Sequence, residues 1–510
     1  MTARRDADEL IRRLCRAGIS LQARDDRIVW SAPPAAMTPE LLGELVAAKP
    51  DVLASLRRSA QGWLPLAPAQ AHLYVQERLA PGRAGLNIPA AVRFRGQVDE
   101  TALRRALNTL VRRHDALRMI FDIQGATPMQ RACPASDVPL AIRRAVDQDE
   151  ALRMLDDDAR RPFDLTVGPA LRALVVEYGS SRSLIQLTFH HLSCDEYSLR
   201  LALGEVLFLY AEDALGHPAG VPDSPRSYES YATAGSAGTR ELHADLRYWR
   251  ERLADLPPPA PPAEGPPYLA VIDAGADAVG ALHALAREER TTLAGAVLTV
   301  FILALRGTLD RNDVMVGMPF NGRSPEYATT VGTFVNTFVL RSRAPGATTF
   351  RELLRATRLD LLEALDHTYL PYHAVVNAVR RGGRWTELFD AWMVIREVQS
   401  MISIPGLHLT PVDAARAVAT HSLKLDLEFG REGLRGFLLG RSPTWKPATV
   451  DRLAAEISTA FMIVSDVADE ALTAASAAIQ RAADQILDRR RNDVARSVRS
   501  RIKVVSRSRR

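Results

Sequence analysis

The sequence predicts a mixed α/β protein built as two lobes of similar content behind a small N-terminal unit. Three observations predict it. Apolar runs of strand length alternate with segments of helical periodicity through residues 63–248, and the alternation resumes from residue 268. Between the two stretches, seven of the eleven residues from Pro257 to Pro267 are proline, which makes an extended, semi-rigid connector. Ahead of both, residues 1–60 carry helix and hairpin signals, but a unit of that size has little core of its own. The expected division is 1–60, a first lobe over 63–248, a linker over 249–267, a second lobe over 268–475, and a tail over 476–510 that is helical, then basic and disordered.

The elements follow in order. From Asp6 to Arg16, Leu10, Ile11, Leu14 and Cys15 stand at helical spacing, and Gly18 stops the run. Ile19–Gln22 and Arg27–Trp30 flank Arg24-Asp25-Asp26 and read as a β-hairpin. Thr38 is an N-cap with Pro39 at the first helical position, and Leu41, Leu42 and Leu45 form the apolar stripe behind it. Pro50 opens a third short helix holding Val52, Leu53 and Leu56. In the first lobe, Ala91–Phe94 reads as a strand, Leu103–Arg112 as a helix, and Leu184–Phe189 as a buried strand. Past the linker, the 13-residue apolar run Leu293–Leu305 is too short for a membrane span and reads as a buried helix. Val314–Gly317 and Phe334–Leu340 read as strands, and Lys424–Phe429 alternates as a half-buried strand does.

Composition narrows the class. An apolar fraction of 47% and a charged fraction of 25% are ordinary for a soluble globular protein. The N-terminus, Met1–Asp8, lacks the apolar core of a signal peptide. Cys15, Cys133 and Cys194 are scattered, which argues against a disulfide framework and suits a reducing cytosol, so a cytoplasmic protein with no membrane partner is expected. The formal charge of +5 misleads. Residues 489–510 hold nine Arg, one Lys and one Asp, a net +9, which leaves −4 for the rest of the chain. Such a tail is usually a solvated end. No aromatic residues interleave it, so nucleic acid is not an expected partner.

The chemistry concentrates at Phe189-His190-His191-Leu192-Ser193-Cys194-Asp195. Histidine titrates closest to neutrality and suits general-base work. The preceding strand would deliver both histidines at its end, in a loop, where catalytic groups often sit on a rigid scaffold. By spacing alone, the pair also fits two packed histidines or half of a metal site. Zinc needs more ligands, and the cysteines show no paired spacing, so no metal is expected. The N-terminal hairpin offers an edge strand, and edges invite strand addition by a partner peptide.

Five stretches, in order and with sensible spacing, resemble the condensation domains of nonribosomal peptide synthetases over roughly residues 63–470. Leu66–Tyr74 resembles the opening S-x-A-Q-x-R-L-W, and Arg113–Phe121 resembles R-H-E-x-L-R-T-x-F. His190-His191 with Asp195 and Ser198 resembles H-H-x-x-x-D-G-x-S. Val316–Arg323 precedes Val331–Thr337, which resembles I-G-x-F-V-N-T. That family is related in fold to chloramphenicol acetyltransferase, which implies two such lobes forming a V-shaped pseudo-dimer. The first 60 residues resemble the β-hairpin docking domains typified by the one from tubulysin assembly, which capture a C-terminal peptide of an upstream synthetase. Ile28, Val29 and Trp30 would then meet that peptide.

The resemblance implies roles. His191 would be the catalytic histidine, taking the proton from the attacking amine or hydroxyl or positioning that nucleophile against the thioester. His190 would shape the loop, and Asp195 would pair with an arginine, for which Arg323 is the candidate. Ser198 would be structural, and Asn336 would hold either ligand or loop. No cofactor is expected, because the phosphopantetheine arm belongs to the partner carrier protein. There are departures. Glu196 stands where the family has a glycine that permits close backbone approach, so it is expected to narrow or charge the acceptor side. Arg381–Leu388 replaces R-D-x-S-R-N-P-L, and Tyr228–Ala232 meets Y-x-D-F-A-x-W only loosely. Phe334–Thr337 favours condensation over epimerisation, and His190 argues against heterocyclisation domains, which carry aspartate there.

The expected activity is condensation in trans. An upstream acyl or peptidyl carrier protein with a C-terminal docking peptide would bring the thioester, and an amine or hydroxyl acceptor, carrier-bound or a free small molecule, would take the chain. With no adenylation or carrier region expected after about residue 470, release as an ester or amide of a free acceptor is the expected version, as in free-standing relatives of enacyloxin assembly. A coenzyme A-dependent acyltransferase of the same fold is the first alternative, and the docking unit argues against it. A non-catalytic recruitment platform is the second, and retention of His190, His191 and Asp195 argues against that.

Overall fold

The computed structural model describes residues 10, 14, 19–24, 27–31, 37–53, 62–79, 84–124, 127–216, 220–221, 225–233, 239–257, 265–344, 347–379, 387–398, 404–412 and 421–488. Two units emerge. The first takes residues 1–236 with the later segments 323–334 and 401–416, and the second takes 237–322, 335–400 and 417–510.

The first unit begins with the expected hairpin, Ser20–Arg24 against Arg27–Ser31, in a register that sets Leu21 opposite Trp30. Thr38 caps the helix Pro39–Ala47, its hydroxyl accepting the Leu41 N–H at 3.3 Å. Leu10, Leu14, Ile19, Leu21, Leu45 and Val52 close a small core beneath the hairpin.

The main sheet of this unit has five strands in the order Leu409–Val412, Asn87–Arg95, Arg182–His190, Leu171–Tyr178, Leu140–Ala145. Arg182–His190 is central and antiparallel to both neighbours. Alternate side chains of a strand face opposite ways. Ile185, Leu187 and Phe189 accordingly pack with residues of the helices Glu100–Arg113 and Glu196–Leu215. Leu184 packs with Ala151 and Leu155 of the helix Gln148–Ala159 on the other face. Burial on both faces explains why this strand reads as a continuous apolar run. The edge strand Leu409–Val412 comes from the far end of the chain, and its Pro411 is tolerated because an edge need not donate on both sides.

The second unit is built on a six-stranded sheet in the order Pro267–Gly275, Gly433–Arg441, Leu423–Gly430, Ala391–Glu397, Val314–Asn321, Val335–Ser342. The apolar run becomes the helix Leu293–Leu309, buried at nearly every position through Leu305. A helix that is apolar all round belongs inside a core. Among the described residues, no single helix is long and apolar enough to cross a membrane.

Two expected boundaries change. The linker does not start at 249: the helix Thr239–Arg252 runs through it, and Trp249 is 2% exposed in the core of the second unit. Its indole N–H donates to the His367 carbonyl at 2.8 Å. The proline run drew the boundary too early, because Leu242, Leu246, Trp249 and Leu253 already carry helical apolar spacing ahead of it. The far boundary shifts as well, since Pro267 opens a strand. The lobes are also not contiguous, because segments 323–334 and 401–416 return to the first unit. Residues 258–264 of the proline run, residues 381–386 and the basic stretch 489–510 lie outside the described residues.

Replacing Trp249 by alanine should therefore cost about 3–5 kcal/mol, as for other buried large-to-small changes, read as a lower midpoint in denaturant unfolding. A change below about 1 kcal/mol, usual for exposed positions, would return Trp249 to a linker.

Candidate active site

The site grows from the end of the strand Arg182–His190. His190 is still a strand residue, paired with Asn87, so only His191 enters the turn. The expectation that both histidines lie in the loop is corrected for His190, because the ladder to Asn87–Arg95 continues one residue past the apolar run. His190 is 3% exposed, its Nδ1 accepts the Leu192 N–H at 3.2 Å, and its carbonyl accepts the Ser193 N–H at 2.9 Å. A nitrogen that accepts carries no hydrogen, so its Nε2 holds the proton and lies 3.5 Å from the carboxylate of Glu77. His190 thus ties the turn that presents His191 through its ring and its carbonyl.

His191 is partly exposed, and its backbone N–H donates to the Leu86 carbonyl at 2.8 Å. Its Nδ1 lies 3.1 Å from the Cys194 carbonyl. A carbonyl only accepts, so Nδ1 carries the hydrogen and Nε2 keeps its lone pair. Burial pushes the imidazole below its ordinary pKa of 6.5, and neighbouring His190 adds to this, while Asp195 pulls the other way. The ring is therefore neutral near pH 7, with one nitrogen held and the other available.

Asp195 caps the helix Glu196–Leu215, its Oδ1 accepting the Ser198 N–H at 2.8 Å. Its Oδ2 accepts the Phe334 N–H at 3.0 Å. Nη2 of Arg323 donates to both oxygens at 3.3 and 3.4 Å and to the Ser198 hydroxyl at 2.6 Å. Both side chains are almost fully buried, at 3% and 4% exposure. The guanidinium also donates to the carbonyls of Tyr327 and Thr330, and it stacks over Phe334 and Tyr197 at 3.9 and 4.5 Å. The expected pair is present, although 128 residues separate its members.

Segment 323–334 is laced to this turn at successive residues. The Gly332 carbonyl accepts the Asp195 N–H at 3.0 Å and the Ser198 hydroxyl at 2.7 Å, while the Gly332 N–H donates to that hydroxyl at 3.0 Å. The Thr333 hydroxyl donates to the His191 carbonyl. A Cβ on Gly332 would lie 2.2 Å from the Tyr228 ring, so glycine is needed for this close approach. Tyr228 donates its own hydroxyl to the Thr333 carbonyl at 2.6 Å. Asp115 in turn fixes Tyr228, accepting its N–H at 2.8 Å and that of Glu229 at 2.9 Å.

Other expected residues have partners of their own. Glu196 is exposed in the first helical turn, 4.0 Å from Arg200. Asn336 belongs to the second unit, where its amide nitrogen donates to the carbonyls of Thr368 and Leu370 at 2.9 and 3.0 Å. Its oxygen accepts the N–H groups of Thr337 and Tyr372 at 2.9 and 3.2 Å, so it holds the loop rather than a ligand. Ile28 packs on the small N-terminal core, while Val29 and Trp30 are each 43% exposed. Sequence reasoning missed Glu77, Thr333, Tyr228 and Asp115 as parts of the site. The last three lie inside motifs already noticed, but only the fold shows what their side chains hold.

The condensation-domain model matches residues 60–461, and that of the TubC N-terminal docking domain matches residues 8–58. A linear gramicidin synthase of Brevibacillus parabrevis is 29% identical over 434 residues, 81% of this chain and 8% of that protein. Phosphinothricin tripeptide synthetase PhsC of Streptomyces viridochromogenes is 30% identical over 433 residues, 80% of this chain and 40% of that protein. The chain thus spans less than half the length of either relative. The crystal structure of the X-domain from teicoplanin biosynthesis superposes with a TM-score of 0.72 at 18% identity, covering 80% of this chain and 96% of that one. At that identity the likeness speaks for the fold.

Removing one partner of a buried pair strands the other charge. Arg323→Met is therefore expected to cost about 3–5 kcal/mol in denaturant unfolding, with part of the loss recovered in Arg323→Met/Asp195→Asn. Equal stability of Arg323→Met and the parent would contradict the pairing.

Proposed function

The chain belongs to the condensation-domain family, acyltransferases that form amide or ester bonds, and we propose that His191 is its catalytic base, acting on a thioester delivered in trans. One observation carries this reading: the Cys194 carbonyl holds Nδ1–H of His191, which leaves a neutral ring with its lone pair at Nε2. The substrate is an acyl or peptidyl thioester on the phosphopantetheine arm of a carrier protein. Nε2 takes the proton of the amine or hydroxyl as that nucleophile bonds to the thioester carbon. The tetrahedral intermediate collapses with cleavage of the C–S bond, and the imidazolium returns the proton to the departing thiolate. Asp195 and Arg323 keep the turn in place, with their charges spent on each other and on backbone groups.

The N-terminal unit supplies the donor. Its match to docking domains and the exposed Val29 and Trp30 support capture of an upstream carrier protein's C-terminal peptide along the strand Arg27–Ser31, beside Ile28. The acceptor is a free amine or alcohol, so that transfer releases the chain as an amide or ester. Support comes from Glu196, an exposed carboxylate where the family carries the glycine that lets backbone approach closely.

The test is intact-protein mass spectrometry of an acyl-loaded carrier protein bearing a docking tail, mixed with the enzyme and a panel of free amines and alcohols. Acyl loss with a new small-molecule ester or amide, abolished in His191→Ala, is the expected result. Transfer only onto a second loaded carrier protein would overturn chain release. Equal rates from acyl-coenzyme A would overturn the carrier-protein donor, and product formation that survives His191→Ala would overturn the role of His191.

A further inference from the structure

A second imidazole–carboxylate pair lies deeper in the first unit and takes no part in the reaction above. His114 follows the helix Glu100–Arg113 and is 1% exposed. Its Nε2 lies 2.9 Å from Oε2 of Glu205, on the helix Glu196–Leu215. Its Nδ1 lies 3.3 Å from the backbone nitrogen of Val331. A backbone N–H only donates, so Nδ1 is the bare nitrogen and Nε2–H points to the carboxylate. Arg113 bonds the other oxygen of Glu205. Burial alone would push the Glu205 carboxyl up, but the bonds from His114 and Arg113 hold it below its ordinary range. The His114 ring is therefore held in one tautomer and one orientation.

What it holds matters. Val331 is fully buried and directly precedes Gly332 and Thr333, the residues that bond the Asp195 N–H, the Ser198 hydroxyl and the His191 carbonyl. We propose that His114, oriented by Glu205, is a positioning residue for His191: it pins the segment at Val331, and through Gly332 and Thr333 it sets the turn that carries the base. The proposal rests on the reading of His191 given above. It assigns the imidazole to the Val331 N–H as an acceptor, and it treats Glu205 as the group that selects the tautomer.

Two amide substitutions separate this role from simple core stabilisation. His114→Asn puts an oxygen near the place of Nδ1 and keeps an acceptor for Val331, while Glu205 retains Arg113. His114→Gln keeps a donor for Glu205 but gives up the acceptor. Transfer from acyl-carrier protein to a free acceptor is followed under saturation and as kcat/KM against pH. In the parent, the acid limb of kcat/KM reports His191 in the free enzyme. It should fall below pH 6.5, because burial and the neighbouring His190 outweigh the pull of Asp195.

His114→Gln is expected to lower kcat roughly 10- to 100-fold, the scale of a displaced catalytic group, with the donor KM unchanged. Its acid limb should rise toward pH 6.5 as the turn opens to water. His114→Asn should keep both close to the parent. A core-stabilising role predicts the reverse order, with the glutamine variant the milder. That order, or equal losses with an unmoved acid limb, would overturn the proposal. Should His114→Gln not fold, His114→Asn decides alone: parental kcat and acid limb support the proposal, and loss of either overturns it. His191→Ala, run alongside, distinguishes the outcomes, since transfer that survives it removes the base and not the pin.

Discussion

The buried ion pair between Asp195 and Arg323 is the constraint on which the rest of the site depends. Removing either charge from water costs several kcal/mol, and only good geometry with further hydrogen bonds offsets that cost. Here every neighbour contributes. Asp195 accepts from Ser198 and Phe334, and Arg323 donates to Ser198, Tyr327 and Thr330. Only a planar guanidinium can meet a carboxylate, a hydroxyl and two carbonyls while its faces stack on Phe334 and Tyr197. Segment 323–334, far along the chain, is thereby required in the first unit, and it brings Gly332 and Thr333 to the turn that carries His191.

From that constraint the chemistry follows by steps. A turn fixed on both sides holds the Cys194 carbonyl against Nδ1 of His191, which assigns the hydrogen. His190, still in the sheet, ties the start of the same turn through its ring and its carbonyl. The two adjacent histidines thus adopt opposite tautomers: His190 carries its hydrogen on Nε2, toward Glu77, and His191 carries it on Nδ1. Adjacent residues at a strand end do different work because only one of them has left the ladder.

Much of this was legible in the sequence, for physical reasons that differ from residue to residue. Leu184–Phe189 was visible as a strand because both its faces are buried, and the cap at Thr38 because Pro39 marks a first helical position. The partnership of Asp195 with Arg323 came from motif resemblance, since spacing along the chain carries no trace of a contact across 128 residues. The return of segments 323–334 and 401–416 to the first unit was not legible, because tertiary pairing alone decides it. The role of Asn336 was open until its amide met the backbone of Thr368, Leu370 and Tyr372. Trp249 was misplaced because a run of prolines is a louder signal than four apolar residues at helical spacing.

The most direct test is the tautomer of His191, read by nitrogen NMR of ring-labelled protein at pH 7.5 with His191→Gln as the assignment control. A neutral ring with a protonated Nδ1 and a bare Nε2, retained in the full chain and lost when Arg323 is replaced by methionine, is the result predicted here. A protonated Nε2, or a doubly protonated ring at that pH, would contradict it, because the turn would then hold His191 in a form unable to accept the acceptor's proton.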